Sequence, residues 1–210
     1  MKDSVIVIVT KDGKIPLNMV RLLGNAKINT ILGEEPFLDI ARNFALYRAM
    51  KYDTILMVDD DVLPKLPITE IINNEYIRDY DVVCGIYWLK SFNSTSIAVE
   101  NTVFGEITWL PYVPNRPTEV SVCGTGFLLI NGDFLRKTYG KAKELGGWFD
   151  VKIVDWAKHK FIGEDVYFFK TFKPKAIADP RLVAWHKAYG IYYFNENGIL
   201  ETPMGVSLDE

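Results

Sequence analysis

Apolar residues in this chain come in short runs that stop at Gly, Pro or charged pairs, and two periods alternate among them. Residues 4–10 are mostly β-branched and uncharged, which predicts a strand buried on both faces. Lys11-Asp12-Gly13-Lys14 is a turn, Pro16 suits the first turn of a helix reaching about Leu23, and Gly24-Asn25 ends it. Residues 26–32 form a second strand, closed by Gly33-Glu34-Glu35-Pro36. Residues 38–50 predict a helix whose broad apolar face combines Leu38, Ala41 and Ala45 with Ile40, Phe44 and Tyr47. Thr54-Ile55-Leu56-Met57-Val58 is a third strand. This order, β-α-β-α-β, opens a doubly wound sheet.

A helix over 68–80 and a strand over 81–88 follow, and then the texture changes. Residues 91–96 read as loop, 103–110 as an isolated strand, and Pro111, Pro114 and Pro117 punctuate a connector. A strand over 120–130 carries Gly124-Thr125-Gly126, helices are expected over 133–145 and 164–172, and 176–177 and 182–185 are strand-like. The expected organisation is one α/β domain over 1–195, with a nucleotide-binding half to about 90 and an acceptor half over about 91–190; 196–210 read as a flexible tail.

Composition changes this picture little. The chain has 210 residues, about half hydrophobic, and a formal charge of −3, with Lys and Arg scattered; that balance offers no basic face for nucleic acid. Cys84 and Cys123, both in apolar strand-like runs, fit no metal spacing and are expected as buried free thiols, a disulfide being the open alternative. Lys2-Asp3 leads straight into a strand with no signal-peptide pattern, and no apolar run nears the roughly 18 residues of a membrane span. A soluble, cytoplasmic protein is expected, with docking on a membrane surface still open.

The chemistry concentrates at Asp59-Asp60-Asp61, straight after the third strand. Alternate side chains of an extended chain share a face, so Asp59 and Asp61 point together and Asp60 away. Two carboxylates without a basic neighbour in sequence call for a hard divalent cation between them. The carboxyl end of a strand in an open α/β sheet is also where ligands bind.

Further pieces follow in order: Ala41-Arg42-Asn43 before the acidic strand, Gly124-Thr125-Gly126-Phe127-Leu128, Gly147-Trp148-Phe149-Asp150, Gly163-Glu164-Asp165-Val166, and His186. With Met57-Val58-Asp59-Asp60-Asp61 as a DxD motif, they resemble a glycosyltransferase of the GT-A fold, nearest to family 2, over about residues 4–190. The resemblance implies a Rossmann-like, mixed but mostly parallel sheet flanked by helices. It also implies a nucleotide-diphosphate sugar donor, a divalent metal (Mn²⁺ or Mg²⁺), and transfer with inversion to a hydroxyl on a glycan, lipid or protein.

On that reading Asp61 is the metal ligand, Asp59 contacts the ribose or the metal shell, and Asp60 orients either. The resemblance makes Asp165 the general base, with Glu164 holding the acceptor; acids opening a helix also complement its dipole. It sets His186 on the metal or the diphosphate, whereas His159, in a basic stretch, reads as surface. Arg42 is a cation that can fork onto the diphosphate, and Asn43 holds a neighbouring loop. Gly124-Thr125-Gly126 lets main chain approach the donor sugar. Thr10, at the end of the first strand, and Glu34, after the second, border the nucleobase and ribose. Of Trp88, Trp109, Trp148 and Trp156, Trp148 is the candidate for stacking on an acceptor sugar. Residues 91–101 are a candidate lid that excludes water.

The expected function is therefore a metal-dependent glycosyltransferase using a UDP-sugar first and a GDP-sugar second. The alternatives are a sugar nucleotidyltransferase, disfavoured because the loop 10–14 has a single glycine, and a non-catalytic nucleotide-sugar-binding module.

Overall fold

The computed structural model describes residues 3–10, 12–24, 26–89, 93–100, 106–155, 160–188, 192–195 and 197–201. The first half runs β1 (Ser4–Val9), α1 (Leu17–Gly24), β2 (Asn29–Gly33), α2 (Leu38–Ala49), β3 (Thr54–Asp59), β4 (Val62–Pro64), α3 (Ile68–Ile72) and β5 (Val82–Ile86). The rest runs β6 (Ile97–Glu100), β7 (Ile107–Trp109), β8 (Thr118–Glu119), β9 (Val122–Cys123), β10 (Phe127–Asn131), α4 (Gly132–Leu145), β11 (Lys152–Asp155), β12 (Lys160–Ile162), α5 (Glu164–Phe172), β13 (Ala176–Ala188), β14 (Tyr192–Phe194) and β15 (Leu200–Glu201).

The main sheet has the order β15-β14-β13-β5-β10-β3-β1-β2. β2, β1 and β3 are parallel neighbours, as are β5 and β13, while β10 lies antiparallel between β3 and β5. One sheet thus takes strands from both halves of the chain. Its two faces separate by the period of two. Val5, Val7, Ile55, Met57, Val82, Leu128 and Ile130 pack on one side with residues of α2, α4 and α5. Ile6, Ile8, Leu56, Val58, Val83, Phe127 and Leu129 pack on the other with Met19 of α1 and Ile68 and Ile71 of α3. Helices on both faces of a mixed, largely parallel sheet make this a Rossmann-like α/β architecture. Among the described residues no helix is long and apolar enough to cross a membrane.

Several elements depart from the sequence expectation. The helix expected over 68–80 breaks at Asn73-Asn74, after which 75–78 is a 3₁₀ turn. Asn74 Oδ1 accepts the backbone N–H of Tyr76 and its amide donates to buried Asp179, a side-chain competition with the helix that Asn supports well. The strand expected over 120–130 is two strands, β9 and β10, parted by a turn at 124–126. The two short strands near 176 and 185 are one, β13, with a register shift between Ala178 and Val183. The expected lid is largely sheet: β6 pairs with β7 and β9, and Ser94, Thr95, Ser96, Ile97 and Ala98 are buried. Residues 91, 92 and 101 of that stretch, like Trp156, His159, and 196 and 202–210 of the expected tail, lie outside the described residues.

The apolar face of α2 also divides. Ala41, Ala45, Leu46 and Ala49 are buried, while Ile40, Phe44 and Tyr47 are exposed. The small residues face inward because the helix lies close on the sheet: a Cβ built at Gly33 of β2 would meet the Ala41 carbonyl oxygen at 2.7 Å.

Cys84 of β5 and Cys123 of β9 are paired in a disulfide, contrary to the expectation of free thiols. Nothing local in the sequence pairs them; β9 reaches β5 only through the tertiary fold. The bond closes a stretch with a sequence separation of 39, for which the chain-entropy relation gives roughly 4 kcal/mol. Reduction by dithiothreitol is therefore expected to lower unfolding free energy by about 2–5 kcal/mol, read as a lower urea midpoint than that of the oxidised chain.

Candidate active site

The carboxyl ends of β1 and β3 meet at one edge of the sheet, and the polar cluster is built there. Main-chain bonds fix the acidic turn: Asp59 N–H donates to Gly126 O, Asp60 N–H to Val9 O, and Lys187 N–H to Asp61 O. Asp59, Asp60 and Asp61 line a cavity of about 240 Å³ together with Val9, Asp12 and Leu38.

Arg42 organises the cluster from below. It projects from α2 with a side chain 3% exposed. One terminal nitrogen donates to both oxygens of Asp59 at 3.1 and 2.8 Å, and the other to Glu164 Oε1 at 2.8 Å. The guanidinium also lies over the Phe149 ring, 5.8 Å from its centroid. Burial by itself would lower its pKa, but the carboxylates of Asp59, Asp165 and Glu164 raise it, so it stays charged. Two sequence expectations change here. The cation that relieves Asp59 is Arg42, from a helix seventeen positions earlier, rather than a metal shared with Asp61. Arg42 in turn spends both terminal nitrogens on protein carboxylates and is not presented to a diphosphate.

Asp165 lies in the first turn of α5, where the helix begins after Gly163. Its Oδ1 accepts the Thr125 hydroxyl at 2.7 Å. Its pKa is raised to about 6, chiefly by burial, with Glu164 and Asp59 adding to the rise and Arg42 and the Thr125 hydroxyl opposing it. A carboxylate so placed is largely ionised at neutral pH yet more basic than an ordinary Asp, which suits proton abstraction. Glu164 is held by Arg42 beside it, a bracing contact that the sequence reading did not contain.

Asp61 and His186 converge from β4's leading turn and from β13, with Oδ2 and Nε2 3.5 Å apart. His186 Nδ1 lies 2.7 Å from the Trp88 carbonyl oxygen. A carbonyl only accepts, so Nδ1 carries a proton and Nε2 faces the carboxylate. An imidazole whose second nitrogen is anchored to a carbonyl is also the usual state of a metal-ligating His. Carboxylate plus imidazole suits Mn²⁺ better than Mg²⁺. Among the described residues no group of three or more His, Cys, Asp or Glu could hold a metal ion, so the protein offers two donors and a ligand would complete the set.

The remaining expected residues fall variously. Thr10 is fully buried, with its hydroxyl 3.4 Å from both Asp12 Oδ1 and Lys14 O. Asp60 has a raised pKa, mainly from burial, with Asp61 and Asp12 adding and the Thr10 hydroxyl opposing. Glu34 is exposed, one residue beyond the β1–β2 pairing, on the rim of the same sheet edge. Gly124, Thr125 and Gly126 sit between Asp59 and Asp165, inside the cluster. Trp148 does not serve as a stacking platform: it is 2% exposed and its indole N–H donates to Thr138. It lines a separate apolar groove of about 340 Å³ with Phe44, Tyr47 and Tyr139. Asn43 performs its expected task, accepting the N–H groups of Trp148 and Phe149 and donating to Phe149 O.

Tyr87 is the residue the sequence reading missed. It is 5% exposed, its hydroxyl accepts Gly126 N–H at 3.0 Å, and its ring stands edge-on to His186 with centroids 5.0 Å apart. In sequence it is one aromatic in a strand-like run, with no signal to separate it from core.

No family model matches the chain, and no curated protein shows significant similarity to it. Among solved structures, the crystal structure of A197 from STIV is similar. It is 26% identical, with a TM-score of 0.73, over 94% of this chain and 92% of that chain. The whole described architecture, and not a part of it, is therefore shared with a natural protein of comparable length.

Two outcomes are expected. Arg42→Ala leaves Asp59 and Glu164 part-buried without their cation and should cost roughly 3–5 kcal/mol in urea unfolding; Arg42→Lys should recover little, because an ammonium cannot fork. Asp165, with a folded pKa of about 6 against 3.8, stabilises the fold fully below the lower value, and that contribution is lost as pH rises through the upper one. Asp165→Asn should therefore match the native chain near pH 4 and exceed its stability at pH 7 by on the order of 1–3 kcal/mol, measured by denaturation across pH.

Proposed function

We propose that this chain is a metal-dependent glycosyltransferase of the GT-A type. It moves a sugar from a nucleotide-diphosphate donor, UDP-linked first and GDP-linked second, to an acceptor hydroxyl with inversion. The observation that carries the reading is Asp165. It is a carboxylate with its pKa raised to about 6, aimed by the Thr125 hydroxyl and set beside the Arg42-braced pair of Asp59 and Glu164. Such a group, at the ligand-binding edge of an α/β sheet and next to an acidic cavity, is fitted to take a proton.

Asp165 accepts the proton of the acceptor hydroxyl as that oxygen attacks the anomeric carbon. The new C–O bond forms while the bond from that carbon to the diphosphate oxygen breaks, and the nucleoside diphosphate leaves with the electron pair. Thr125 orients the carboxylate for this transfer, and Arg42 fixes Glu164 and Asp59 by its hydrogen bonds. Asp61 and His186 are the residues that would hold a divalent cation, which supplies Lewis-acid neutralisation of the diphosphate charge. Asp60, on the cavity wall, and Glu34, on the rim beyond β2, are suited to the nucleoside, while fully buried Thr10 supports Asp12 from beneath.

The nucleotidyltransferase reading lacks support in the first loop. Lys14 there is exposed and pairs with Asp12, and a single glycine provides no cradle for a triphosphate.

Calorimetric titration of UDP and then GDP, with and without Mn²⁺, tests the reading. Metal-dependent binding of one nucleotide is expected, weakened at least tenfold by Asp61→Ala, about 1.4 kcal/mol. Asp165→Asn should bind nucleotide as the native chain does and lose transfer. In the native chain kcat should rise with pH through about 6 as Asp165 ionises. Binding of neither nucleotide under any metal condition would overturn the proposal.

A further inference from the structure

Gly124 and Gly126 are adjacent to the base-holding Thr125, and both are occupied by the same oxygen. A Cβ built at Gly124 would lie 2.4 Å from the Tyr87 hydroxyl and 3.3 Å from the Ser96 Cβ. One built at Gly126 would lie 2.8 Å from that hydroxyl and 3.0 Å from Asp59 Oδ2. Neither glycine has a positive φ, so backbone conformation does not demand glycine at these places. Space for the phenol does. The hydroxyl in turn accepts Gly126 N–H, which belongs to a turn rather than to a strand ladder.

The turn so wedged has contacts on both sides. Gly126 O receives the N–H of Asp59 at 2.9 Å, and Thr125 delivers its hydroxyl to Asp165 at 2.7 Å. The far side of the Tyr87 ring meets His186. Tyr87 itself is fixed independently of the site: its N–H donates to Ser96 Oγ, and its carbonyl accepts Ser96 N–H. A rigid side chain anchored in the sheet therefore touches the turn that aims Asp165 and the imidazole that faces Asp61.

We propose that Tyr87 is a positioning residue for the transfer reaction, its hydroxyl serving as the spacer that sets the Gly124–Gly126 turn and hence the Thr125–Asp165 hydrogen bond. The assignment to a reaction rests on the glycosyltransferase reading; the mechanical part does not. The groups facing Asp165 are Arg42 of α2, Asp59 of β3, Glu164 on its own helix, Thr125 and Tyr87. Of these, Thr125 belongs to the turn and is the one that hydrogen-bonds Asp165.

Tyr87→Phe keeps the ring against His186 and removes the oxygen. Gly126 N–H loses its acceptor, the turn relaxes, and Thr125 donates less well to the ionised Asp165. The Asp165 midpoint, followed by NMR of its ¹³C-labelled carboxyl, is then expected to move upward from about 6 by about half a unit or more. The acidic limb of the kcat profile should move with it, with KM for the donor unchanged. An unmoved Asp165 midpoint in a folded Tyr87→Phe chain would overturn the proposal, since a purely structural Tyr87 would lower Tm and leave that midpoint in place.

A second measurement works without turnover. Gly124→Ala should lower Tm, and adding Tyr87→Phe should recover about half of the loss or more, because the oxygen at 2.4 Å is the only one of the three nearest atoms inside 3.0 Å, Tyr87 Cζ and Ser96 Cβ standing at 3.2 and 3.3 Å. Gly126→Ala should be rescued less, since Asp59 Oδ2 still opposes its Cβ. Additive Tm losses at Gly124 would overturn the spacer. If Tyr87→Phe does not fold, hydrogen exchange of the native Gly126 amide decides: protection supports the bond to Tyr87, and exchange at the rate of an open turn overturns it. Failure of nucleotide binding with these couplings intact would sink the glycosyltransferase reading alone.

Discussion

The structure at the sheet edge depends on one buried guanidinium. Arg42 is almost wholly removed from water, and a charge in that position is tolerable only when it is paired and hydrogen-bonded on its donor side. Its terminal nitrogens meet that condition, though Nε does not, by joining three elements that are far apart in sequence: α2, the end of β3 through Asp59, and the start of α5 through Glu164. The desolvation cost and the charge-assisted bonds are both large, so the net stabilisation is modest while the geometric constraint is strong. Any shift of α5 relative to β3 would break one of these forks and leave a carboxylate uncompensated.

That constraint explains why two neighbouring acids differ in behaviour. Glu164 is tied to Arg42 directly, while Asp165, one residue on, feels the guanidinium only at a distance and is bound instead by a neutral hydroxyl. Burial then wins over attraction, and Asp165 holds its proton to a higher pH than a typical carboxyl. The same division recurs in the acidic triplet. Asp59 is tied to Arg42, whereas Asp61 lies beside His186.

The turn at Gly124–Gly126 gathers these pieces because it lies over the end of β3, next to α5 and against Tyr87. The disulfide of Cys123 to Cys84 enters this turn from one side and Asp59 meets it from the other. Its position is thus set by covalent, steric and hydrogen-bonding restraints together, and the Thr125 hydroxyl bound to Asp165 is held with it.

The sequence by itself determined the repeating elements whose cause is local. The uncharged β-branched runs became β1 and β3, Leu38 to Ala49 became a helix, and the acidic triplet fell at a strand end. It also offered Asp61, Glu164, Asp165, His186 and the Gly-Thr-Gly stretch as candidates, through the resemblance that their order carries. Only the tertiary structure decided which partner each of them has. Arg42 and Asp59 carry no mark that they belong together, Cys84 and Cys123 read as ordinary buried thiols, and Tyr87 reads as core. Trp148, chosen for its place in a loop, is packed away, and the apolar residues of α2 were assigned to a face that the close approach of helix and sheet leaves in part to solvent. The physical reason is the same throughout. Hydrophobic period and turn chemistry act between neighbours in the chain, whereas charge pairing, disulfide formation and steric wedging act between residues that only the packed sheet brings within a few ångströms.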